Sequence, residues 1–376
     1  MTNKFLMVAS FPESLLNFRG ALLASLKDKG LDVHIAAPNL PSGSSLRLQL
    51  ESYGYTVHDI NLKRVGLNPW RDFLTMLELA WLMRSLKPDA MLAYTVKPVV
   101  YGLMAARLVG VPKRFALITG LGYAFQGSDS VSNSRQWLRL AVQKLYTLAL
   151  RGAHKTFFQN PDDQLLFKNR NLLSASAATV VVNGSGVDLE KFVPSVPPKP
   201  ISFLLIARLL GDKGVREYVE AAKLVKASSP STKFNLVGWI DENPDSISTE
   251  ELDFWITQDL VSYWGRLADV RPAIEASSVY VLPSYREGTP RTVLEAMAMG
   301  RPIITTDAPG CRETVVDGLN GYLVKVKDSE SLAYAMMRFI REPDKTLSMG
   351  EASRSLAQER FDVHAVNKKM MYEMEI

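Results

Sequence analysis

Short apolar runs alternate with longer amphipathic stretches along the whole chain. The runs rich in β-branched and aromatic residues are predicted strands, and in the first half they cover residues 5–10, 32–38, 56–62, 90–95, 114–119, 155–160 and 179–183. Stretches with a helical period lie between several of these runs, at residues 15–29, 69–85, 99–109 and 134–150. This alternation predicts βαβ units, and therefore a parallel sheet with helices on both faces.

A proline-rich segment interrupts the pattern near the middle of the chain. Residues 192–200 contain Pro194, Pro197, Pro198 and Pro200, which neither a helix interior nor a central strand accommodates. The alternation then resumes, with predicted strands at 202–207, 233–238, 260–265, 279–283, 302–306 and 321–325 and predicted helices at 214–228, 291–299 and 329–341. The segment therefore indicates a linker between two α/β domains.

The pattern predicts an α/β protein of two Rossmann-like, doubly wound parallel-sheet domains. The first domain is expected at residues 1–193, the linker at 194–200 and the second domain at 201–361. The last helical stretch, residues 362–376, can cross back to the first domain. Ligands of open α/β sheets bind at the carboxyl ends of the strands, so two domains joined in this way are expected to face a cleft that holds the substrates.

Composition narrows the class of protein. The chain has 376 residues, 47% of them hydrophobic and 22% charged, which is ordinary for a globular enzyme. Its single cysteine, Cys311, can form no intramolecular disulfide and no cysteine metal cluster, so a reducing compartment is expected. The first residues lack the long apolar region of an export signal, and charged residues interrupt every long apolar stretch, so no membrane-spanning segment is predicted.

The net charge of +5 is unevenly distributed. Residues 1–198 contain 22 Lys and Arg against 13 Asp and Glu, a net charge of +9, and the remainder has a net charge of −4. Residues 90–161 alone contain nine basic residues and one acid. Such a patch can bind an anionic membrane, a phosphate-bearing substrate or nucleic acid, although an uneven solvated surface would give the same count.

The stretch from 281 to 307 carries the densest chemical information. A predicted strand ends there, a loop holds Glu287 and Gly288, and a helix is expected to begin with Thr289 as its N-cap and Pro290 in its first turn. Free backbone N–H groups and the positive end of the helix dipole make this a candidate phosphate site. Glu287 and Glu295 could accept hydrogen bonds from different hydroxyls of a sugar nucleotide; alternatively they are a turn residue and an exposed helix residue.

A second cluster follows the strand at 202–207. That strand delivers Arg208 at its carboxyl end, and a short loop places Lys213 before the next helix. A planar guanidinium and a mobile ammonium together suit a diphosphate leaving group. Each alone would be interpreted as a surface cation, but both clusters lie at strand ends of the same predicted domain.

These residues resemble those of a known family. Arg208 with Lys213, then Glu287 and Glu295 with seven residues between them, and then the Gly-Arg-Pro-Ile-Ile-Thr-Thr-Asp-Ala-Pro-Gly run at 300–310, are similar to the retaining family 4 glycosyltransferases of GT-B fold. Residues 183–192 resemble the interdomain junction of that family. Residues 95–98, 119–125 and 239–244 favour the bacterial enzymes of capsule, O-antigen and N-glycan assembly that act on undecaprenyl-diphosphate-linked acceptors.

The resemblance implies a role for each matching residue. Arg208 and Lys213 would hold the donor diphosphate and stabilise its charge as the glycosidic bond breaks. Glu287 would bind hydroxyls of the donor sugar and Glu295 those of the ribose, while the backbone of Gly288, Thr289, Pro290 and Arg291 would meet the sugar and the β-phosphate. Retention in this family is assigned to a front-face displacement, so Glu287 is not cast as a covalent nucleophile.

The acceptor side departs from the family pattern in two places. Thr119 stands before Gly120 where many relatives have a histidine that contacts the donor sugar, and the first loop, residues 10–20, lacks the double glycine common in the family. The candidate acceptor residues are Asn17, Arg19, Lys97, Thr119 and Gly120. The four histidines are scattered singly along the sequence, so no metal site is predicted.

Together these features predict a retaining, metal-independent glycosyltransferase on the cytoplasmic face of the inner membrane, bound there peripherally to the anionic surface. A UDP-linked N-acetylhexosamine, with N-acetylgalactosamine favoured, would be the donor and co-substrate, and an undecaprenyl-diphosphate-linked saccharide the acceptor. No further cofactor and no nucleic-acid partner are expected.

Three alternatives are weaker. A UDP-N-acetylhexosamine 2-epimerase has the same fold but needs more catalytic acids and histidines than this chain offers. A dinucleotide-dependent oxidoreductase needs a Gly-x-Gly-x-x-Gly turn after the first strand, and residues 10–20 have none. A non-catalytic module that binds nucleic acid or lipid would leave Arg208, Lys213 and Glu287 without a role.

Overall fold

The computed structural model of the chain describes residues 3–63, 66, 68–120, 133–241, 243 and 245–376, and the side chains of these residues except 133–139. The chain divides into two compact units. The first runs up to Ser185 and resumes at His364–Ile376, and the second is Gly186–Val363. Among the described residues, no helix combines the length and the apolar composition needed to cross a bilayer.

The first unit is built on a seven-stranded parallel sheet. Its strands are β1 (Lys4–Val8), β2 (Asp32–Ala37), β3 (Thr56–Asp59), β4 (Ala90–Tyr94), β5 (Lys113–Ile118), β6 (Lys155–Phe158) and β7 (Thr179–Val181). Their order across the sheet is β3-β2-β1-β4-β5-β6-β7, so the direction of winding reverses beside β1. Alternate residues of β1 enter different cores: Leu6 and Val8 lie in one, Phe5 and Met7 in the other. The period-two burial on both faces is that of a doubly wound sheet.

Helices cover both faces of this sheet. They are α1 (Glu13–Asp28), α2 (Ser45–Ser52), α3 (Pro69–Leu86), α4 (Leu103–Leu108), α5 (Asn133–Leu150) and α6 (Pro161–Asn169), with a π-helical turn at Pro98–Gly102 before α4. Pro69 and Pro161 occupy first-turn positions, and the side chains of Asn68 and Asn160 cap the backbone N–H groups of Arg71 and Asp163. The sequence thus specifies where α3 and α6 begin.

The second unit repeats the plan with a six-stranded sheet in which all pairs are parallel. Its strands are β8 (Ser202–Ile206), β9 (Lys233–Val237), β10 (Ser262–Tyr263), β11 (Val279–Leu282), β12 (Ile303–Thr306) and β13 (Gly321–Val324), in the order β10-β9-β8-β11-β12-β13. Its helices are α7 (Val215–Ser228), α8 (Thr249–Thr257), α9 (Arg271–Glu275), α10 (Arg291–Ala298), α11 (Ser329–Arg341) and α12 (Asp344–Arg360). The predicted pair of Rossmann-like parallel-sheet domains is confirmed.

The proline-rich segment is packed within the second unit. The carbonyl of Ser195 accepts from Arg301 Nη1 at 2.6 Å, the carbonyl of Pro198 accepts from Ser278 Oγ at 2.8 Å, and Phe192 is buried. Val187 forms a parallel bridge with Asp362. These contacts place the unit boundary at Ser185, earlier than the predicted boundary at 193, because bonds to distant residues fix a segment whose composition resembles that of a linker.

The last helix, α13 (Val363–Glu373), packs on the first unit. The side chains of Met370 and Met374 are fully buried in the core that also contains Phe5 and Met7. Lys155 Nζ, at the start of β6, donates to Glu373 Oε2 at 2.8 Å. The chain therefore begins and ends in the same unit.

Candidate active site

Three neighbouring strands of the second unit end at one edge of its sheet. β8, β11 and β12 lie side by side, and because they are parallel the loops that follow them emerge together. The loop after β8 carries Arg208 and Lys213, the loop after β11 carries Glu287, and the loop after β12 contains Gly310. The topology thus gathers the predicted donor residues at a single place.

Lys213 and Glu287 form an ion pair at this edge. Lys213 Nζ donates to Glu287 Oε1 at 2.6 Å, and the hydroxyl of the buried Ser284 donates to the same oxygen at 2.8 Å. Burial lowers the pKa of Lys213, but the charges of Glu287 and Asp212 outweigh it and hold the pKa above its ordinary value. The ammonium therefore stays charged at neutral pH.

Two glycines allow the three loops to pack against one another. A Cβ added at Gly214, whose φ is +71°, would lie 2.2 Å from the carbonyl oxygen of Pro283. One added at Gly310, whose φ is +81°, would lie 2.1 Å from the carbonyl oxygen of Glu287. The amide of Glu287 also donates to the carbonyl of Pro309 at 2.9 Å. The position of Glu287 is therefore set by direct backbone contact with the neighbouring loops.

Arg208 follows β8 directly and forms a separate ion pair. Its Nη1 lies 3.0 Å from Asp241 Oδ2, in the segment after β9, and about a third of its side chain is exposed. The positive charge of Arg208 partly offsets the rise in the pKa of Lys213 that the carboxylates cause. The two cations are therefore electrostatically coupled, although each has its own carboxylate partner.

Helix α10 begins where the predicted helix 291–299 begins, but its N-cap lies one residue later than predicted. Its first residue is Arg291, and Pro290 occupies the N-cap position with extended backbone angles, φ −72° and ψ 112°. The predicted N-cap, Thr289, is therefore wrong. The reason is that Pro290, with ψ outside the helical range, cannot be a first-turn residue, although its carbonyl accepts from the amides of Val293 and Leu294. Gly288 and Thr289 are buried just before the helix.

Glu295 lies in the second turn of α10 and is buried, with 6% of its surface exposed. Burial raises its pKa, and Arg291, whose Nε lies 2.8 Å from Glu295 Oε1, opposes that shift. A buried carboxylate that is ion-paired to Arg291 is not the exposed helix residue of the alternative interpretation. Glu287 and Glu295 are therefore both fixed, partly or wholly buried acids.

The acceptor candidates lie in the first unit, where β1, β4 and β5 are neighbours. Thr119 and Gly120 are half-buried and follow β5 directly. Lys97 follows β4, but its Nζ lies 2.7 Å from Oδ1 of the buried Asp72, which also accepts from the Tyr101 hydroxyl at 3.1 Å. Lys97 is thus held by a buried carboxylate of α3.

Helix α1 contributes the other two candidates. Asn17 is exposed, whereas Arg19 is buried, with its guanidinium 5.4 Å from the centroid of the Tyr94 ring. The Tyr94 hydroxyl pairs with Ser14 Oγ at 2.7 Å, and burial raises the pKa of Tyr94 to about 12. Asn17 therefore offers an exposed amide, whereas the guanidinium of Arg19 is buried beside an aromatic ring.

Sequence reasoning did not single out a hydroxyl pair at this edge. Ser10 Oγ and Thr95 Oγ1 lie 2.6 Å apart, just beyond the ends of β1 and β4. Thr95 has a φ of +69°, in the left-handed region where a β-branched residue is strained. The sequence signal available for this pair was a polar residue just after each of two predicted strands, Ser10 after the first and Thr95 after the fourth.

Three cations of the predicted basic patch at 90–161 are paired with acids. Lys97 is paired with Asp72, Lys113 Nζ lies 3.2 Å from Glu375 Oε2, and Lys155 is paired with Glu373. All three acids lie outside residues 90–161 in the sequence. A count restricted to that window therefore overstates the net positive charge around these cations. The side chains of Arg135 and Arg139 lie outside the described residues, and Arg107, Lys144 and Arg151 are exposed.

Two of the four histidines are close together, contrary to the prediction that they are scattered. His34 Nδ1 lies 3.0 Å from His58 Nε2, because parallel pairing sets β2 beside β3, and His34 Nε2 lies 3.1 Å from Asp32 Oδ2. In the described part of the chain, no group of three or more His, Cys, Asp or Glu side chains could hold a metal ion.

Two family models match the chain, one for each half. The model described as "Glycosyl transferase 4-like" matches residues 11–160, and the model described as "Glycosyl transferases group 1" matches residues 200–342. Between them they span most of both sheets. The predicted enzyme class, a glycosyltransferase, is confirmed.

Relatives of known name are bacterial glycosyltransferases. N,N'-diacetylbacillosaminyl-diphospho-undecaprenol alpha-1,3-N-acetylgalactosaminyltransferase of Campylobacter jejuni is 29% identical over 353 residues, covering 90% of this chain and 89% of that protein. UDP-Gal:alpha-D-GlcNAc-diphosphoundecaprenol alpha-1,3-galactosyltransferase of Escherichia coli is 27% identical, covering 74% of this chain and 73% of that protein.

Solved structures match the whole chain. Sucrose-phosphate synthase of Thermosynechococcus elongatus superposes with a TM-score of 0.80 at 19% identity, covering 99% of this chain and 98% of that one. HepE of Anabaena in complex with UDP-glucose superposes with a TM-score of 0.77 at 20% identity, covering 99% of each. At such identities the likeness concerns the fold, which is the GT-B fold of two Rossmann-like domains.

Proposed function

The chain belongs to the family 4 glycosyltransferases, and we propose that it transfers an N-acetylhexosamine, N-acetylgalactosamine by preference, from a UDP-sugar to an undecaprenyl-diphosphate-linked saccharide in cell-surface glycan assembly. The anomeric configuration is retained. The reaction takes place at the cytoplasmic face of the inner membrane, where the protein binds peripherally.

The Lys213–Glu287 ion pair is the observation on which the donor assignment rests. Its two members come from loops after adjacent strands, and Gly310 lets a third loop support them. Lys213 and Arg208 bring two cations to the carboxyl edge of the sheet. The N-terminus of α10, which begins after the loop that follows β11, offers free backbone N–H groups. A nucleoside diphosphate linked to a sugar fits this set: cations for the phosphates, and Glu287 and Glu295 for hydroxyls.

The resemblance to the family implies a front-face displacement as the reaction course. The acceptor hydroxyl oxygen bonds to the anomeric carbon as the bond from that carbon to the β-phosphate oxygen breaks on the same face. The acceptor proton passes to an oxygen of the departing diphosphate, so no residue of the protein need form a covalent bond. Lys213 and Arg208 stabilise the negative charge that grows on the diphosphate, a fixed electrostatic contribution available before the bond breaks.

The acceptor assignment is supported by the first unit and by the relatives. Both relatives described above are named for acceptors that carry a sugar on a diphospho-undecaprenol. In this chain, Thr119 and Gly120 follow β5, beside the Ser10–Thr95 hydroxyl pair at the ends of β1 and β4. Hydroxyl groups suit recognition of a saccharide.

A transfer assay tests the proposal. The purified protein is incubated with a panel of UDP-sugars and an undecaprenyl-diphosphate-linked saccharide, and the product linkage is determined by NMR. We expect α-linked transfer from a UDP-N-acetylhexosamine. Inversion, or conversion of the donor to its C2 epimer without an acceptor, would contradict it.

Metal independence is tested in the same assay. Because Lys213 and Arg208 supply the positive charge at the diphosphate, transfer is expected to continue unchanged in excess chelator. Loss of transfer that added Mn²⁺ restores would overturn this part of the proposal.

A further inference from the structure

Helix α3 (Pro69–Leu86) is apolar on the face that it turns away from the core. Its buried face packs Leu79, Ala80 and Met83 into the first unit. The opposite face exposes large apolar side chains at helical spacing: Trp70, Phe73, Leu74, Leu77 and Trp81. We call these five residues the α3 stripe. A helix that is apolar on both faces requires a second partner for the exposed one.

The composition of the α3 stripe resembles that of an interfacial helix. Trp70 is 68% exposed and Trp81 is 71% exposed, three helical turns apart, with Phe and Leu side chains between them. Tryptophan rings, apolar over most of their surface and polar at the N–H, are enriched at the boundary between lipid headgroups and acyl chains. The described part of the chain has no other helix that exposes two tryptophans.

Charge around the α3 stripe is positive. Arg71 and Arg84 are exposed on the helix, and the exposed Lys87 is its C-cap. The two acids of the helix face elsewhere: Asp72 is buried and paired with Lys97, and Glu78 Oε2 accepts from the amide of Asn61 at 3.0 Å. Exposed cations beside apolar side chains complement a surface that is apolar beneath and anionic above.

The inner face of α3 reaches the candidate acceptor site. Asp72 Oδ1 holds Lys97 Nζ at 2.7 Å, directly after β4, whose neighbour β5 leads to Thr119 and Gly120. The same helix therefore presents the α3 stripe outward and contacts an acceptor candidate inward. A lipid-linked acceptor has its lipid in a bilayer and its saccharide at the enzyme. A bilayer against the outer face of α3 and a saccharide near Lys97, at its inner face, would match these two ends of the acceptor.

We propose that the α3 stripe is the surface by which this protein docks on an anionic lipid bilayer. Trp70 and Trp81 insert at the headgroup boundary, and Arg71, Arg84 and Lys87 contact anionic headgroups. This inference rests on the proposed function for its purpose, since only a membrane-linked acceptor makes the docking useful. The α3 stripe lies outside the basic window at 90–161, for which an anionic membrane was one of the candidate partners considered in the sequence analysis.

Vesicle sedimentation without any sugar substrate tests the docking. The full chain is mixed with phosphatidylcholine vesicles with and without 30% phosphatidylglycerol. We expect Trp70→Ser/Trp81→Ser to lower the partition coefficient on anionic vesicles by about tenfold or more. Arg71→Gln/Arg84→Gln is expected to lower it by about fivefold per charge at low salt, with a smaller effect at high salt.

The matched control changes exposed aromatic residues of the second unit. Phe254 and Tyr334 are 60% and 65% exposed, and Phe254→Ser/Tyr334→Ser is expected to bind vesicles as the unchanged protein does. Equal binding by Trp70→Ser/Trp81→Ser would overturn the proposal. So would a dimer of the unchanged protein that this variant converts to a monomer, because the α3 stripe would then be an interface between copies.

The outcome can be separated from that of the proposed function. Transfer to an acceptor with a short, water-soluble lipid requires no membrane, so Trp70→Ser/Trp81→Ser is expected to retain it while losing activity on acceptor embedded in vesicles. Vesicle binding without transfer to either acceptor would reject the proposed function alone.

Discussion

At the scale of single residues, the candidate active site depends on positions that tolerate no side chain. Gly310 has a φ of +81°, and the nearest backbone atom to an added Cβ is the carbonyl oxygen of Glu287. Any side chain there would displace the loop that positions the carboxylate of Glu287 against Lys213. The geometry of the site therefore depends on the absence of a side chain at Gly310 as well as on the charged groups.

Gly310→Ala is therefore expected to lower both Tm and transferase activity. Gly318 is a matched control in the same unit, because its φ is +78° but an added Cβ would meet nothing within 4 Å. Both variants carry the backbone cost of about 1–2 kcal/mol for a left-handed alanine, and only Gly310→Ala adds the clash. Thermal unfolding and kcat/KM are measured for both; equal effects would show that Glu287 is not positioned by this contact.

His58 makes a pH-dependent contribution to stability. Burial, with the nearby charges of His34 and Arg47, lowers the pKa of His58 from 6.5 to about 4. Between these values the unfolded chain binds a proton that the folded protein does not, so stability falls as the pH drops from about 6.5 to 4. The full effect would be about 3 kcal/mol, and partial exposure of His58 makes it smaller.

His58→Gln can still hydrogen-bond to His34 and does not titrate. Its Tm is expected to fall less between pH 7 and pH 4.5 than that of the unchanged protein. Identical profiles for the two proteins would contradict the assignment.

At the scale of secondary-structure elements, α13 completes the core of the first unit from the far end of the sequence. Met370 and Met374 are fully buried beside residues of β1 and β2, and Glu373 pairs with Lys155 of β6. The same helix exposes 79% of Tyr372. One face of α13 is therefore a structural part of a sheet whose strands all lie at least 180 residues earlier in the chain.

Met370→Ala is expected to destabilise the first unit by about 2–5 kcal/mol, because it leaves a cavity in a closed core. Tyr372→Ala, two residues away on the exposed face, is expected to change stability by less than about 0.5 kcal/mol. Urea unfolding followed by circular dichroism measures both. A comparable loss in the two variants would mean that α13 is not docked as described.

Elements with strong local patterns could be predicted, and those fixed by distant partners could not. Strands such as β1 and β8 are continuous apolar runs, and α3 begins at Pro69, where the pattern predicts its first residue. Local pattern also led to Arg208, Lys213 and Glu287, which follow strands. It missed α8 and α12, where polar residues dilute the period, and it interpreted residues 194–200 as a linker because the bonds of Arg301 to Ser195 are invisible in local composition.

The same limit applies to charge. Counting along the sequence assigned nine cations to a patch, whereas Glu373 and Glu375 return from the end of the chain to pair with two of them. The α3 stripe was not predicted for a different reason: a helix with apolar residues on both faces is expected to be buried, and only the packing shows which apolar face is exposed. Pairing partners and exposed faces are properties of the folded chain.

At the scale of the whole molecule, two units with separate cores divide the chemistry. The second unit holds the donor candidates Lys213 and Glu287, and the first holds the acceptor candidates together with the α3 stripe. In each unit, loops that carry candidate residues emerge at the carboxyl edge of a parallel sheet, where open α/β sheets bind ligands. The proposed function therefore depends on the assignment of the donor site.

The most direct test of that assignment is kcat/KM for transfer by Lys213→Ala, Glu287→Ala and the double variant. Each single change is expected to lower kcat/KM by about 10²–10³-fold, and the double variant is expected to be no more active than either. Lys223→Ala, which breaks an exposed ion pair with Glu220, is the control and should retain full activity. Recovery of activity in the double variant, or full activity in the folded single variants, would show that the pair is structural and would contradict the account.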